Sequence, residues 1–220
     1  MAVVVVTGAN RGIGLEVARQ MAARGDDVIA VCRQSSDELA ETDVRIIEGI
    51  EVTDDAACQR LADTLAGETI DILVNNAGIL KQDTLSGVDY GEILEQYQVN
   101  TIGPLRITRA LLDNLREGSR VAIVTSRVGS IEDNGSGSNY GYRCSKSAAN
   151  MVGKNLHHDL SPRGIAVMLL HPGYVATDMT GGSGDATPVE SAAGVIARLD
   201  ELNLSTSGSF WHAEGYELPW

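Results

Sequence analysis

The sequence predicts an α/β fold of the Rossmann type. It should be a doubly wound parallel β-sheet of about seven strands, flanked by helices, in a single domain over residues 1–220. Short apolar runs rich in β-branched residues alternate with helical patterns along the whole chain. Polar or conformationally special residues also fall at the carboxyl ends of predicted strands, the edge where such sheets bind ligands: Gly8, Arg33, Asn76, Ser126 and Pro172.

The first predicted unit is a strand, a glycine-rich turn and a helix. Residues 3–6 are all valine, as expected of a strand buried on both faces, and the helical pattern ends at Gly25. Between them lies the turn Thr7-Gly8-Ala9-Asn10-Arg11-Gly12-Ile13-Gly14. Glycines in this context let the backbone approach a pyrophosphate, and the helix N-terminus supplies N–H groups. We interpret the turn as a nucleotide cradle; an ordinary glycine-rich turn is the alternative.

The remaining elements follow from the same alternation. Further strands are predicted at 28–32, 44–48, 70–74, 120–126, 165–170 and 208–212. Helices are predicted from about Asp55, over 90–116, over 142–160 and over 190–202. Gly103-Pro104 interrupts the second of these helices, so we expect a kink near Asn100. Residues 216–220 are interpreted as a docked tail.

The second strand indicates which dinucleotide is bound. It ends in Cys32-Arg33, with no acid at its tip. In dinucleotide-binding folds an acid there bonds the ribose 2′-hydroxyl, whereas an arginine accommodates a 2′-phosphate. Arg11 is a second cation near the same place, and two guanidinium groups suit a phosphate. We predict NADP(H) rather than NAD; the alternatives are that both arginines are solvated, or that Asp37 or Glu38 pairs with Arg33.

The run Tyr142-Arg143-Cys144-Ser145-Lys146 is the candidate for chemistry. If it opens a helix, Tyr142 and Lys146 lie on one face because they are four residues apart. A free tyrosine has a pKa of about 10, too high for efficient proton exchange near neutral pH. A nearby ammonium favours the phenolate and lowers that pKa. The pair is a candidate acid/base, although an ordinary surface pair on a helix has the same spacing.

Composition argues against several classes of function. The formal net charge of −13 argues against a nucleic-acid binder, which needs a basic patch. The three cysteines are widely spaced and match neither a disulfide framework nor a metal site, so we predict no metal and a reducing compartment. The N-terminal apolar run is too short for a signal peptide or a membrane span. We therefore expect a cytoplasmic protein without a membrane partner.

Together these motifs resemble those of the classical short-chain dehydrogenase/reductase family. The turn from Thr7 to Gly14 is similar to its cofactor turn, and Asn75-Asn76-Ala77-Gly78 to its central-strand motif. Pro172-Gly173-Tyr174-Val175-Ala176-Thr177 is similar to its nicotinamide loop. The family's catalytic tetrad falls at Asn100, Ser126, Tyr142 and Lys146. The ending Gly208-Ser209-Phe210-Trp211 and Glu217-Leu218-Pro219-Trp220 looks like the branch of C-factor-type proteins and sniffer-like carbonyl reductases.

The resemblance implies reduction of an aldehyde or ketone to an alcohol by hydride transfer from NADPH. Tyr142 would donate the proton, and Lys146 would lower its pKa and bond the nicotinamide ribose. Ser126 would bond the substrate oxygen, and Asn100 would hold a water that relays protons. The implied pocket wall is Ile79, Leu80, Tyr174 and Met179, with Arg127 and Arg143 as polar neighbours. The implied cofactor contacts are Gly8, Asn10, Arg11, Gly12, Ile13, Gly14, Arg33, Glu51, Val52, Asn76, Ala77, Gly78, Tyr142, Lys146, Pro172, Gly173, Val175 and Thr177.

The chain departs from the family pattern in three places. Glu51 replaces the usual aspartate, Ser126 and Tyr142 are sixteen residues apart with a longer loop between them, and the segment after Thr177 is short. The resemblance also implies a homodimer or homotetramer that pairs through the helices at 90–116 and 142–160. A non-catalytic NADP-binding signalling protein of the C-factor type is the alternative function, and the intact tetrad argues against it. A zinc-dependent dehydrogenase would need a clustered ligand set, which the sequence lacks.

Overall fold

The computed structural model describes all 220 residues. The strands are β1 (Val3–Thr7), β2 (Asp27–Val31), β3 (Arg45–Ile47), β4 (Ile70–Asn75), β5 (Leu115–Val124), β6 (Ala166–His171) and β7 (Ser209–His212). The helices are α1 (Gly12–Ala23), α2 (Asp37–Ala40), α3 (Asp55–Thr64), α4 (Tyr90–Tyr97), α5 (Gly103–Ala110), α6 (Tyr140–Leu160) and α7 (Pro188–Glu201). One sheet forms in the order β3-β2-β1-β4-β5-β6-β7, and all neighbouring strands run parallel. The predicted fold class is confirmed.

Apolar side chains fill both faces of the sheet, because successive residues of a strand point to opposite sides. Val4 and Val6 belong to a cluster of 24 buried residues that includes side chains of α1 and α7. Val5 belongs to a cluster of 20 on the other face, with side chains of α3, α5 and α6. Helices therefore cover both faces, as the run of valines predicted.

The single helix predicted over 90–116 is wrong in its length. Helix α4 ends at Tyr97, residues 98–102 form a π-helical turn around Asn100, and α5 ends at Ala110. The predicted kink near Asn100 is thus confirmed. The side chain of Asn114 fixes the chain beyond α5, since its Nδ2 donates to the carbonyl oxygens of Leu65 (2.6 Å) and Glu68 (2.8 Å). Strand β5 begins next, at Leu115, five residues earlier than predicted.

Smaller differences concern the other helices. Helix α6 begins at Tyr140, two residues before the predicted start, and the short helix α2 was not predicted. The chain leaves α1 through Gly25, whose φ of +93° is the left-handed conformation that glycine adopts readily. Helix α7 begins at Pro188, two residues before the predicted start, and the side chain of Thr187 caps its N-terminus.

The C-terminal tail folds back along the edge strand β7. The N–H of His212 donates to the carbonyl of Tyr216, and the N–H of Leu218 donates to that of Phe210. The rings of Phe210 and Trp220 pack with centroids 5.7 Å apart. The prediction of a docked tail is confirmed. None of the helices combines the length and apolar character required to cross a membrane.

Candidate active site

The glycine-rich turn closes tightly onto the end of β4. Gly8 has a φ of +66°, and a Cβ placed there would lie only 2.8 Å from the Cα of Ala77. A Cβ at Gly14 would collide with the side chain of Asn76 and with the carbonyl of Gly8. These two positions therefore require glycine for a steric reason, the close approach of the turn to itself and to the residues after β4.

Asn76 holds the turn in that position. Its Nδ2 donates to the carbonyl oxygens of Thr7 (3.0 Å) and Gly8 (3.1 Å). In return, the hydroxyl of Thr7 accepts from the backbone N–H groups of Asn76 (3.1 Å) and Ala77 (3.2 Å). The amide nitrogen of Asn76 is therefore used within the protein, and its contact with a cofactor stays a prediction.

The N-terminus of α1 has the features of an anion site. Its N-cap residue, Arg11, forms no capping bond through its side chain, and no acid lies in the first turn. Side chains cap the N-termini of several other helices, for example those of α3 (Asp54) and α4 (Asp89). Leu15 donates the first bond of the helix, to the carbonyl of Arg11, so the N–H groups before it have no intrahelical partner. This end of α1 fits the pyrophosphate of a dinucleotide.

The two arginines predicted to hold a 2′-phosphate each pair with a carboxylate. Arg11 lies 3.3 Å from Asp178, and Arg33 lies 3.3 Å from Glu51 rather than pairing with Asp37 or Glu38. The arginine side chains are 64% and 69% exposed, so water and salt screen both pairs. A phosphate that accepts from these guanidinium groups can replace such weak partners.

The loop from Pro172 to Thr177 reaches from β6 towards the glycine-rich turn. The carbonyl of Pro172 accepts from the hydroxyl of Ser191 at the start of α7 (2.8 Å). At the other end, the methyl group of Thr177 lies against Gly12, where a Cβ would be 3.4 Å away. The structure thus brings this loop, with Gly173 and the buried Val175, to the N-terminus of α1.

Two other predicted cofactor residues have contacts of their own. The carbonyl of Asn10, in the turn, accepts from the hydroxyl of Ser36. Val52 is buried, and its side chain lies against Gly103.

Asn100 is buried in the π-helical turn and is fully bonded to the protein. Its Oδ1 accepts from the N–H of Ile79 (2.9 Å), and its Nδ2 donates to the carbonyl of Ile79 (2.9 Å) and to the hydroxyl of Ser145 (3.0 Å). Gly78 separates Asn100 from Lys146, since a Cβ on Gly78 would lie 3.2 Å from Oδ1 and 3.6 Å from Nζ. The structure therefore places Asn100 close to the lysine, and the relay water stays a prediction.

Tyr142, which is half-buried, and Lys146, which is buried, lie on the same face of α6, as their spacing predicted. Lys146 is 4% exposed; its Nζ donates to the carbonyl of Val124 (3.0 Å) and lies 5.7 Å from the centre of the Tyr142 ring. Burial lowers the pKa of Lys146 to about 8. Burial also raises the pKa of Tyr142 to about 12, against the opposing effect of the nearby Ser126 hydroxyl.

We expected the lysine to lower the pKa of Tyr142. In the protein chain alone, the pKa of Tyr142 is raised. Removing a phenolate from water costs more free energy here than the polar neighbours return. At neutral pH Tyr142 keeps its proton and can act as an acid. This is the form required to protonate an oxygen that gains negative charge.

Arg143 fixes the loop before α6, and its place as a polar neighbour of the substrate stays a prediction. Its Nε donates to the carbonyl oxygens of Gly137 and Ser138 (both 3.0 Å). Its terminal nitrogens donate to the carbonyl of Val128 (3.3 Å) and to the hydroxyl of Ser136 (2.8 Å). The long loop between Ser126 and Tyr142 is thus held by the first turn of the helix that follows it.

A polar cleft of about 510 Å³ opens beside the N-terminus of α6. No apolar side chain lines it; its residues are Gln82, Asp83, Thr84, Gly87, Ser138 and Asn139. Sequence reasoning did not identify this cleft. Its two walls come from segments that are distant in the sequence, and neither carries a recognisable motif.

The family profile described as short chain dehydrogenase matches residues 2–187. A 1-hydroxy-2-glutathionyl-2-methyl-3-butene dehydrogenase from Rhodococcus sp. (strain AD45) is 45% identical over 226 residues, which cover 100% of both chains. The C-signal protein of Myxococcus xanthus is 43% identical over 154 residues, 69% of this chain and 93% of its own.

Solved structures are similar over the whole chain. An NADPH-bound carbonyl reductase from chicken fatty liver superposes with a TM-score of 0.91 at 32% identity, covering 100% of this chain and 99% of its own. The carbonyl reductase Sniffer of D. melanogaster superposes with a TM-score of 0.92 at 28% identity, covering 100% of both chains.

Lys146→Met should raise the free energy of unfolding at pH 7 in the protein without cofactor. The folded-state pKa of about 8 lies below the ordinary value of 10.5, so below pH 8 the folded state carries the full penalty of a buried ammonium. That gap corresponds to about 3 kcal/mol. Loss of the bond to Val124 offsets about 1 kcal/mol, which leaves a gain of about 2 kcal/mol.

The gain should shrink as the pH rises from 8 towards 10.5, because the folded protein then loses a proton that the unfolded chain keeps. Urea denaturation at pH 7 and pH 9.5 measures it. Lys154→Met is the control: Lys154 lies on the same helix and bonds the carbonyl of Gly208, but is less deeply buried. An equal effect of both substitutions, or a loss of stability in Lys146→Met, would contradict the account.

Proposed function

We propose that this chain, which belongs to the short-chain dehydrogenase family, reduces an aldehyde or ketone to an alcohol with NADPH. The observation that carries the proposal is the pair formed by the buried Lys146 and the half-buried Tyr142, with the Ser126 hydroxyl near the phenol. Both solved structures described above are carbonyl reductases, and one was solved with NADPH. The uncapped N-terminus of α1 and the two exposed arginines support binding of that cofactor.

Tyr142, Ser126 and Lys146 have separate roles in the proposed reduction. The bound cofactor would supply the hydride. Tyr142 holds its proton at neutral pH and gives it to the oxygen of the substrate as negative charge develops there. Ser126, whose hydroxyl lies near the phenol, orients the same oxygen. Lys146 then lies beside the phenolate that remains, and its positive charge compensates a negative charge that burial alone would disfavour.

The buried amine argues against a purely binding role. The C-signal relative keeps open a non-catalytic function of the C-factor type. A binder, however, gains nothing from holding Lys146 at a depth that lowers its pKa to about 8. Strained or destabilised groups of this kind are typical of sites that perform chemistry.

We also propose a class of substrate, an alcohol or aldehyde that carries a glutathionyl group. The Rhodococcus dehydrogenase is named for such an alcohol and matches this chain from end to end. Glutathione is a polar tripeptide, and the cleft of about 510 Å³ beside α6 has no apolar side chain in its wall. That cleft is where the tripeptide would lie, with the reacting carbon next to Tyr142.

Tyr142→Phe should reduce carbonyl turnover by about 100-fold or more, since it removes the proton that general acid catalysis requires. NADPH binding, measured by the fluorescence of the cofactor, should remain within about threefold. Tyr140→Phe is the matched control, because Tyr140 lies in the same turn of α6 but is 40% exposed. An unchanged rate in Tyr142→Phe would disprove the assignment of the acid.

Arg33→Asp should shift the cofactor preference from NADPH towards NADH, because a carboxylate repels the 2′-phosphate and can bond a ribose hydroxyl. Glu51→Gln, which frees Arg33 from its partner, should strengthen NADPH binding. The ratio of kcat/KM for the two cofactors measures both effects. Arg45→Asp is the control: Arg45 also pairs with a glutamate but opens β3, away from the carboxyl edge. A ratio unmoved by Arg33→Asp would refute the assignment of NADP.

A further inference from the structure

An irregular segment after β4 is bonded to the elements around the catalytic helix at three alternate residues. Ile79 bonds to Asn100 through both its N–H and its carbonyl. Lys81 donates its N–H to the buried side chain of Gln96 in α4 (2.9 Å). Asp83 makes the third connection, to the start of α6. Ile79 and Lys81 form these bonds through backbone groups, whereas Asp83 uses its side chain as well.

Asp83 caps α6 from outside that helix. Its Oδ1 accepts from the N–H of Tyr140 (2.6 Å), and its Oδ2 accepts from the N–H of Gly141 (2.9 Å). Its backbone also pairs with Asn139: the carbonyl accepts from the N–H (2.9 Å), and the N–H donates to Oδ1 (3.4 Å). Four hydrogen bonds therefore join one residue to the three that begin the helix.

The helix has no cap of its own to replace this one. Asn139 stands at the N-cap position but forms no capping bond through its side chain. Its φ of +51° and the φ of +56° at Ser138 are left-handed, a conformation that costs free energy in residues other than glycine. The bonds to Asp83 hold the chain in this left-handed conformation where it leads into α6.

The carboxylate of Asp83 also depends on the helix. Its residue is 8% exposed and forms no salt bridge. A buried charge without a partner is costly, and here the N–H groups and the positive end of the α6 dipole compensate it. A displacement of the first turn would remove that compensation, so the position of the turn is tightly determined.

We infer that Asp83 is the positioning residue for Tyr142, through its cap on the turn that carries the phenol. The inference rests on the proposed function. Tyr142 follows directly after the two residues whose N–H groups Asp83 binds. Because proton transfer depends on placement to within about an ångström, a loosened first turn should slow the chemical step without weakening cofactor binding.

Asp83→Asn tests this inference. The substitution keeps the shape but turns an amide N–H₂ towards an N–H donor, so one capping bond is lost together with the charge. We expect kcat for carbonyl reduction to fall about 10- to 100-fold, with KM for NADPH unchanged within about twofold. The matched control is Asp54→Asn, because Asp54 caps α3 through the N–H groups of Ala56 (3.0 Å) and Ala57 (3.2 Å). It should lower the melting temperature by a similar amount and leave kcat unchanged.

A second readout does not depend on activity. Protein labelled with 3-fluorotyrosine should give one fluorine resonance for each of its six tyrosines, and the Tyr142→Phe variant assigns that of Tyr142. Asp83→Asn should shift or broaden this resonance, whereas Asp54→Asn should not. If the wild type reduces no carbonyl but the resonance still responds only to Asp83→Asn, the proposed function fails and the positioning role stands. A resonance that does not move in Asp83→Asn would overturn the inference, whatever happens to kcat.

Discussion

Two ionisable side chains, the half-buried Tyr142 and the buried Lys146, share one face of α6, and burial disfavours the charged form of each. It raises the pKa of the phenol to about 12 and lowers that of the amine to about 8. An isolated charge is therefore costly at this place, while a phenolate next to an ammonium compensates part of that cost. The site thus favours a tyrosine that gives up its proton only when an acceptor is present. The rest of the structure has to hold α6 so that the phenol of Tyr142 and the ammonium of Lys146 stay next to each other.

The first two turns of α6 are held mainly by buried polar contacts. Thr101 donates to the carbonyl of Ser145 (2.8 Å), Thr125 donates to that of Lys146 (3.3 Å), and the lysine itself reaches back to β5. The cap by Asp83 completes the set at the helix start. Hydrogen bonds are directional, so such a network fixes the orientation of a helix more narrowly than apolar packing does.

The sequence was sufficient for features with a local cause. A run of valines buried on both faces, glycines in a strand–turn–helix unit and a four-residue spacing all act within a few residues, and the structure has each of them. Features with a distant cause were missed. The position of the chain beyond α5 depends on Asn114 bonding to carbonyls 49 and 46 residues away, and the cap on α6 comes from an aspartate 57 residues from Tyr140. The direction of the Tyr142 pKa was also missed, since burial is a property of the packed molecule.

The measurement that tests the central claim most directly is the initial rate of NADPH oxidation by the purified protein. The panel should contain aldehydes and ketones, including a pair that differ only in a glutathionyl substituent, with NADH in parallel. The account predicts turnover of several carbonyls with NADPH, a slower rate with NADH, and a lower KM for the glutathionyl member of the pair. Tight binding of NADPH without turnover of any carbonyl would contradict it and would favour the binding-only role.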